Sequence, residues 1–118
     1  MKWFVSALVV TLDINSGDTR VGLVTYSTSV DTAEAFNLNA HATDANVLAA
    51  IAALSYTGDL TYTHLALEYV RTTMLTSAAG DRPDVPNVVV VMTDGESNNP
   101  TATQVCTVWK KKLPYFRN

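Results

Sequence analysis

The sequence has little of several residue types that would point to a particular chemistry. Its 118 residues include a single cysteine, Cys106, so the chain can build neither an internal disulfide nor a thiolate metal cluster. Charged residues make up 16%, the net charge is -3, and no basic run is longer than Lys110–Lys112. These values argue against nucleic-acid binding, which needs a basic face to replace phosphate counterions.

Catalytic and metal-binding motifs are also missing. No P-loop, G-x-G-x-x-G or G-x-S-x-G pattern occurs in the sequence. An EF-hand loop starting at Asp94 would need Gly and Glu where the chain has Asn99 and Val105. His41 and His64 have no nearby Cys or second His, so no zinc site is predicted. We find no catalytic constellation and predict that the chain is not an enzyme.

The amino-terminal stretch MKWFVSALVVTLDI could be a signal peptide or a helix. It has a basic start and a short apolar core, but no clear cleavage site before Asp13. It is too short to span a bilayer. Phe4, Leu8 and Leu12 recur at helical spacing, with Val5 and Val9 beside them. We therefore predict an amphipathic, mostly buried helix.

The rest of the chain alternates between strand-like and helix-like patterns. A turn cluster at Ile14–Asp18 ends the first element. Strands are predicted at three places: Thr19–Ser27, Asp31–Leu38 and the apolar run Val88–Met92. Helices are predicted at Thr43–Leu54 with Thr43 as N-cap, at His64–Leu75, and at Thr101–Lys111, which would bury Cys106. This order predicts one layered α/β domain without a linker.

Two polar residues stand where ligands could bind. Five consecutive apolar residues predict a strand buried on both faces, and Asp94 follows where that strand would end. Ligands of open parallel sheets bind beyond the carboxyl ends of the strands. Asp94 could bind a ligand there or only cap a turn. Thr61, in a glycine-containing loop, could cap the helix starting near Thr63 or offer its hydroxyl to a hard cation such as Mg²⁺.

Three stretches, in matching order and spacing, resemble the von Willebrand factor type A (vWA) domain. They are RVGLVTYSTSV (Arg20–Val30), GDLTYTHLAL (Gly58–Leu67) and RPDVPNVVVVMTDGES (Arg82–Ser97). The likeness is greatest to the copies in extracellular-matrix proteins such as matrilins and the collagens that carry A domains. It runs from about Phe4 to Gln104, while residues 105–118 form a divergent tail, and we interpret residues 1–118 as a single partial vWA domain.

The resemblance implies an α/β fold of three layers, with a doubly wound, mostly parallel, Rossmann-like sheet between helices. It also implies a metal-ion-dependent adhesion site for Mg²⁺. In the family, a D-x-S-x-S motif after the first strand, a Thr from a second loop and an Asp after the fourth strand supply the ligands. By motif, Thr61 in TYT matches the Thr, and Asp94 in TDG matches that last Asp. An acidic group of the partner protein commonly completes the coordination.

The sequence departs from the family pattern in its ligands and at both ends. No D-x-S-x-S motif occurs, and the likeness begins inside the family's first helix. The final TVWKKKLPYFRN does not match the family's continuation, so we expect a domain truncated at both ends. Mg²⁺ needs near-octahedral coordination, so two protein ligands would hold it weakly. Exposed sheet edges also lead us to expect low stability or aggregation.

The sequence thus predicts a non-enzymatic adhesion or protein-interaction module of extracellular-matrix type. By resemblance it would be secreted and would bind matrix or cell-surface proteins through an incomplete divalent-metal site, without nucleic acid or a membrane span. One alternative is a metal-independent scaffold in which Thr61 and Asp94 only cap turns. Another is an intracellular vWA subunit of an ATP-driven complex, which the lack of a convincing signal and of a disulfide would favour.

Overall fold

The computed structural model describes residues 2–55, 60–93 and 96–101 of the chain. Its regular elements, in chain order, are α1 (Lys2–Val9), β1 (Leu23–Tyr26), β2 (Val30–Phe36), α2 (Asp44–Ala52) and α3 (Thr63–Tyr69). A π-helical turn, Val70–Met74, continues α3, and a short 3₁₀ turn follows at Ser77–Ala79. The predicted helix Thr101–Lys111, with Cys106, and the tail beyond it lie outside the described residues, except for Thr101.

The hydrophobic core lies between α1, α2 and one face of the sheet. Val47 and Ile51 of α2 are fully buried. They form one cluster with three other buried residues, namely Val9, Ile14 and Phe36. Val21 and Leu23 pack against this cluster at the start of β1. Each aliphatic side chain removed from water contributes about 1.5–3 kcal/mol, so this cluster is the main source of stability on this side of the sheet.

The other face of the sheet is covered by α3 and its π-helical continuation. Side chains alternate along a strand, so Gly22 and Tyr26 face away from Val21 and Leu23. Gly22 lies directly against the Met74 side chain, because a Cβ at Gly22 would be only 2.6 Å from Met74 Cε. The Tyr26 hydroxyl is 3.2 Å from Thr63 Oγ1. Helices therefore cover both faces, in the three-layer order expected from the sequence.

The hydrogen-bonded sheet within the described residues is an antiparallel pair, β1 and β2. Leu23 lies opposite Phe36, and Thr25 lies opposite Asp31. Because β2 has more residues between these two pairs than β1 has, β2 bulges away from β1 there. Asp31 Oδ1 accepts hydrogen bonds from the backbone N–H groups of Ala33 at 3.0 Å and Glu34 at 3.2 Å. The Asp31 side chain thus satisfies backbone donors inside the bulge.

Two arginines join the start of β1 to the loop after α3. The Arg20 guanidinium donates to the carbonyl of Gly80 at 2.7 Å. In the opposite direction, Arg82 donates to the carbonyls of Gly17 at 3.0 Å and Asp18 at 2.8 Å. A charged donor makes a stronger hydrogen bond than a neutral one, so this crossed pair holds two distant loops together.

Most of the predicted helices are confirmed, with changes at their boundaries. Thr43 is the N-cap of α2, and its side chain accepts from the N–H of Asn46 at 3.3 Å. The predicted helix His64–Leu75 is present as α3 and the π-helical turn, which closes with a 2.8 Å bond from Leu75 N–H to the Val70 carbonyl. The five-residue spacing of that bond is the π-helical pattern.

The predicted burial of the first helix is only partly right. α1 is a helix, but Phe4 is 49% exposed and Leu8 is 37% exposed. Val5, Val9 and Leu12 form the stripe that contacts the core instead. Within the described residues, α1 packs against α2 on one side, so only one stripe of its surface is covered.

The prediction that Val88–Met92 is a strand buried on both faces is wrong for the described structure. No strand is formed there, and Val88, Val90 and Val91 are about half exposed, at 52%, 55% and 47%. A strand needs a neighbour to accept and donate its backbone hydrogen bonds. No described segment pairs with this run, and apolar composition alone cannot supply one.

Gly80 offers a test of how tightly its loop packs against the loop that contains Asn39. Its φ is +96°, and an added Cβ would lie 2.7 Å from the backbone nitrogen of Asn39. We expect Gly80→Ala to lower the free energy of unfolding by about 2–4 kcal/mol, because left-handed strain and overpacking add. Urea denaturation measures this loss.

Gly17→Ala is the matched control. Gly17 also has a positive φ, +85°, but nothing lies within 4 Å of an added Cβ. Only the left-handed strain applies there, so the expected cost is about 1–2 kcal/mol. Equal losses in the two variants would show that the Gly80 loop moves away from Asn39 at little cost.

Candidate functional site

Thr61 lies in the short segment that leads into α3, and it is half-buried. The N-cap of α3 is Tyr62, which makes no side-chain capping bond. The interpretation of Thr61 as the helix cap is therefore wrong for this structure. Within the described residues no hydrogen bond involves the Thr61 hydroxyl, which leaves its oxygen available to a ligand.

A reciprocal pair of hydrogen bonds joins Thr61 to Asn98. The Thr61 N–H donates to Asn98 Oδ1 at 2.5 Å, and the Asn98 N–H donates to the Thr61 carbonyl at 2.8 Å. The loop that carries Thr61 is thereby fixed against the loop at residues 96–99. Asn98 follows Asp94 by four positions in the chain, so the contact links the two loops that the sequence singled out.

The same segment is tied to the carboxyl end of β1. The Tyr62 N–H donates to the carbonyl of Ser27 at 3.0 Å. One residue later, Thr63 Oγ1 is 3.2 Å from the hydroxyl of Tyr26, the last residue of β1. Thr61 therefore sits near the carboxyl end of β1, where open α/β sheets bind their ligands.

Asp94, the second predicted metal ligand, lies outside the described residues. Its distance from Thr61 therefore stays a prediction from the sequence. Within residues 2–55, 60–93 and 96–101, no group of three or more His, Cys, Asp and Glu side chains could hold a metal ion. Thr61 itself offers one hard oxygen donor, its hydroxyl.

The two histidines contact aromatic rings in different parts of the fold. The ring of His41 packs edge-on against Phe36, with centroids 4.8 Å apart. The ring of His64 packs edge-on against Tyr62 at 5.7 Å. Each histidine ring therefore has an aromatic neighbour within the fold.

Asn98 is the residue of the site that sequence reasoning missed. It stands in the polar run ESNNP, where neighbouring residues carry similar hydrogen-bonding groups. No periodicity or spacing separates Asn98 from Asn99. Only the contact with Thr61, 37 positions away, reveals its role.

Comparison with known proteins identifies the family to which the chain belongs. A profile of the von Willebrand factor type A domain matches residues 1–112. The chain belongs to the vWA family. Among related proteins, bovine matrilin-1 is 39% identical over 98 residues, which are 80% of this chain and 18% of that protein. Bovine integrin alpha-2 is 39% identical over 100 residues, and the human collagen alpha-1(XX) chain is 37% identical over 103.

These alignments cover most of the chain and a small part of each relative. The alignment with integrin alpha-2 covers 84% of this vWA chain, and the alignment with the collagen covers 87% of it. Each alignment covers only 8% of the relative's own length. The relatives are proteins of the extracellular matrix and of adhesion, so the predicted likeness to matrix-type vWA domains is confirmed.

Solved structures confirm the fold of this vWA chain. Proximal thread matrix protein 1 from the mussel byssus superimposes with a TM-score of 0.83 at 29% identity, over 96% of this chain and 29% of that one. A second structure of the same protein is described as having a zinc-occupied MIDAS motif. It superimposes with a TM-score of 0.74 at 27% identity, over 92% of this chain and 30% of that one. The predicted three-layer α/β vWA fold is therefore confirmed.

Asn98 can be tested as the residue that holds the Thr61 loop. We expect Asn98→Ala to speed hydrogen exchange of the Thr61 amide about two- to tenfold, because one net hydrogen bond of about 0.5–1.5 kcal/mol is lost. Asn98→Asp should keep exchange slow, since a carboxylate oxygen accepts from the same N–H. Hydrogen exchange followed by NMR makes the measurement.

Asn39→Ala is the control for a general loss of stability. It removes a different loop contact, the 3.2 Å bond from Asn39 Nδ2 to the Ala78 carbonyl. Faster exchange at Thr61 in this variant as well would mean that global opening, rather than the Asn98 contact, controls the amide.

Proposed function

We propose that this chain is a non-enzymatic adhesion or protein-interaction module of extracellular-matrix type. In this proposal it is secreted and binds matrix or cell-surface proteins, and residues 1–118 act as one partial vWA domain with a divergent tail from residue 105. Matrilin-1, integrin alpha-2, a collagen chain and a byssus matrix protein among its relatives support this role. No helix in the described ranges is long and apolar enough to cross a membrane.

The observation that carries the proposal is the position of Thr61. Its hydroxyl makes no hydrogen bond within the described residues, and its backbone is fixed by Asn98 beside the carboxyl end of β1. A polar side chain held in this way, and not used for helix capping, is suited to bind a ligand rather than to stabilise the fold.

For the metal, we propose that Thr61 and Asp94 are the ligands that this chain offers to a divalent cation such as Mg²⁺. A hydroxyl and a carboxylate are both hard oxygen donors. The zinc recorded in the MIDAS motif of the mussel protein supports divalent-cation binding by this fold. Two protein ligands leave most coordination positions to water or to an acidic group of a partner, so binding by the chain alone is weak.

A metal-independent interaction domain is the second candidate. It is favoured by the lack of any group of three or more His, Cys, Asp and Glu side chains that could hold a metal ion in the described part of the chain. In that case the surface around Thr61 would bind protein directly. An intracellular subunit of an ATP-driven complex has no support from the matrix and adhesion relatives.

Calorimetric titration with Mg²⁺ and Mn²⁺ tests the metal proposal. We expect weak binding that Thr61→Ala and Asp94→Ala each weaken about tenfold or more, which is the scale of losses seen when metal sites are perturbed. Thr61→Ser keeps the hydroxyl and should bind as the wild type does. Asp84→Ala is the matched control, because it removes an exposed carboxylate from a loop outside the candidate site.

The outcomes separate the two candidates. Absence of binding in the wild type, or binding unchanged by Asp94→Ala, would contradict the metal proposal and leave the metal-independent domain. Binding of the same variants to immobilised extracellular-matrix proteins, measured in Mg²⁺ and in EDTA, then tests the adhesion role itself.

A further inference from the structure

Two consecutive residues at the end of β1 contact two consecutive residues at the start of α3. The Ser27 carbonyl accepts the N–H of Tyr62 at 3.0 Å. The Tyr26 hydroxyl lies 3.2 Å from Thr63 Oγ1, in a hydrogen bond that either hydroxyl can donate. Thr61 directly precedes Tyr62, so these two contacts fix the segment that carries Thr61 against the end of the strand.

The strand side of this contact is held in the sheet. Tyr26 is the last residue of β1 and lies opposite Val30, the first residue of β2. The turn between them closes with a 3.0 Å bond from the Ser27 N–H to the Ser29 carbonyl. The Tyr26 side chain, which is half-buried, therefore stands on a backbone that the hairpin fixes in place.

The chain changes direction between Thr61 and Thr63. Tyr62 has φ −94° and ψ 70°, which are close to the values of an inverse γ-turn. Its ring packs edge-on against His64, with centroids 5.7 Å apart, and α3 begins at Thr63. A rotation at Tyr62 would redirect the Thr61 side chain. The direction of that side chain therefore depends on contacts on both sides of Tyr62.

The contacts on the two sides differ in their exposure to water. Asn98, which pairs with both backbone groups of Thr61, is exposed. Thr63 is buried, with 6% of its surface exposed. Water competes for the bonds of an exposed side chain, whereas a buried hydroxyl that loses its partner is costly to the fold. The bond between Tyr26 and Thr63 is therefore the more constant of the two.

We propose that Tyr26 is a positioning residue for Thr61. Its hydroxyl holds Thr63 and, through the turn at Tyr62, sets the direction of the Thr61 side chain, without touching a ligand itself. The consequence for a metal ion rests on the proposed function. A donor that is already held in one direction loses less freedom when it binds a cation, so the hydrogen bond of Tyr26 would strengthen metal binding.

The order of Thr61 in the metal-free, 118-residue chain is the first test. Tyr26→Phe removes only the hydroxyl. We expect the backbone order parameter of Thr61, from NMR relaxation of its amide nitrogen, to fall from about 0.85, typical of rigid backbone, towards about 0.6. Tyr69→Phe is the matched control, because Tyr69 is a half-buried tyrosine at the other end of α3. It should leave the order of Thr61 unchanged.

A double variant separates positioning from simple stabilisation. Tyr26→Phe takes away the partner of a buried hydroxyl, so it also destabilises the fold. Adding Thr63→Val replaces that hydroxyl by a methyl group, and an apolar pair of the same shape restores most of the stability. Such a pair has no directional bond. In urea denaturation we therefore expect the double variant to approach the wild type, while its Thr61 order parameter stays low.

Calorimetric titration with Mg²⁺ gives a second readout. We expect Tyr26→Phe and the double variant each to bind about threefold more weakly than the wild type, within the range that one net hydrogen bond supplies. Tyr69→Phe should bind as the wild type does. A merely structural role of the Tyr26 hydroxyl would instead return the affinity to the wild-type value in the double variant, together with the stability.

The outcomes distinguish the positioning role from the metal site itself. An unchanged Thr61 order parameter in Tyr26→Phe would overturn the positioning role, and so would its recovery in the double variant. Equal Mg²⁺ affinities of a metal-binding wild type and Tyr26→Phe would overturn it as well. If the wild type binds no Mg²⁺, the proposed metal site fails, whereas loss of Thr61 order in Tyr26→Phe would still support the positioning role.

Discussion

The need of backbone groups for hydrogen-bond partners governs this small structure. Its described sheet has only two strands, so side chains provide partners that a larger ladder would otherwise supply. Asp31 satisfies donors in the β2 bulge, Arg20 and Arg82 satisfy carbonyls at distant loops, and Asn98 pairs with both backbone groups of Thr61. Among the described residues, no such side chain provides a hydrogen-bond partner for the run Val88–Met92.

The candidate site is built by the same kind of contact. Thr61 is held from two sides, by Asn98 and through Tyr62 by the carbonyl of Ser27, while its own hydroxyl is left free within the described residues. Membership of the vWA family and the position of Thr61 beside the carboxyl end of β1 together support the proposal that a ligand binds at this end of the sheet. In the proposed metal site, the Thr61 hydroxyl would act together with Asp94 and with an acidic group of a partner.

Local patterns in the sequence were enough to predict the local elements. The N-cap at Thr43, the helix that includes Met74 and the three-layer α/β class follow from capping chemistry, periodicity and family resemblance. Features that depend on distant contacts could not be predicted in this way. The exposure of Phe4, the missing strand at Val88–Met92 and the role of Asn98 are all decided by which segment lies beside them.

The crossed arginine contacts also have a consequence for the order of folding. Arg82 reaches carbonyls 64 and 65 positions away, and Arg20 reaches one 60 positions away. The hairpin of β1 and β2 and the helix α2 form from neighbours in the sequence, whereas these bonds must close loops of 60 to 65 residues, about half of the chain. Contacts of long sequence separation carry the largest entropic cost and slow the search for the native state. We therefore expect the two guanidinium contacts to form late in folding, after the local elements.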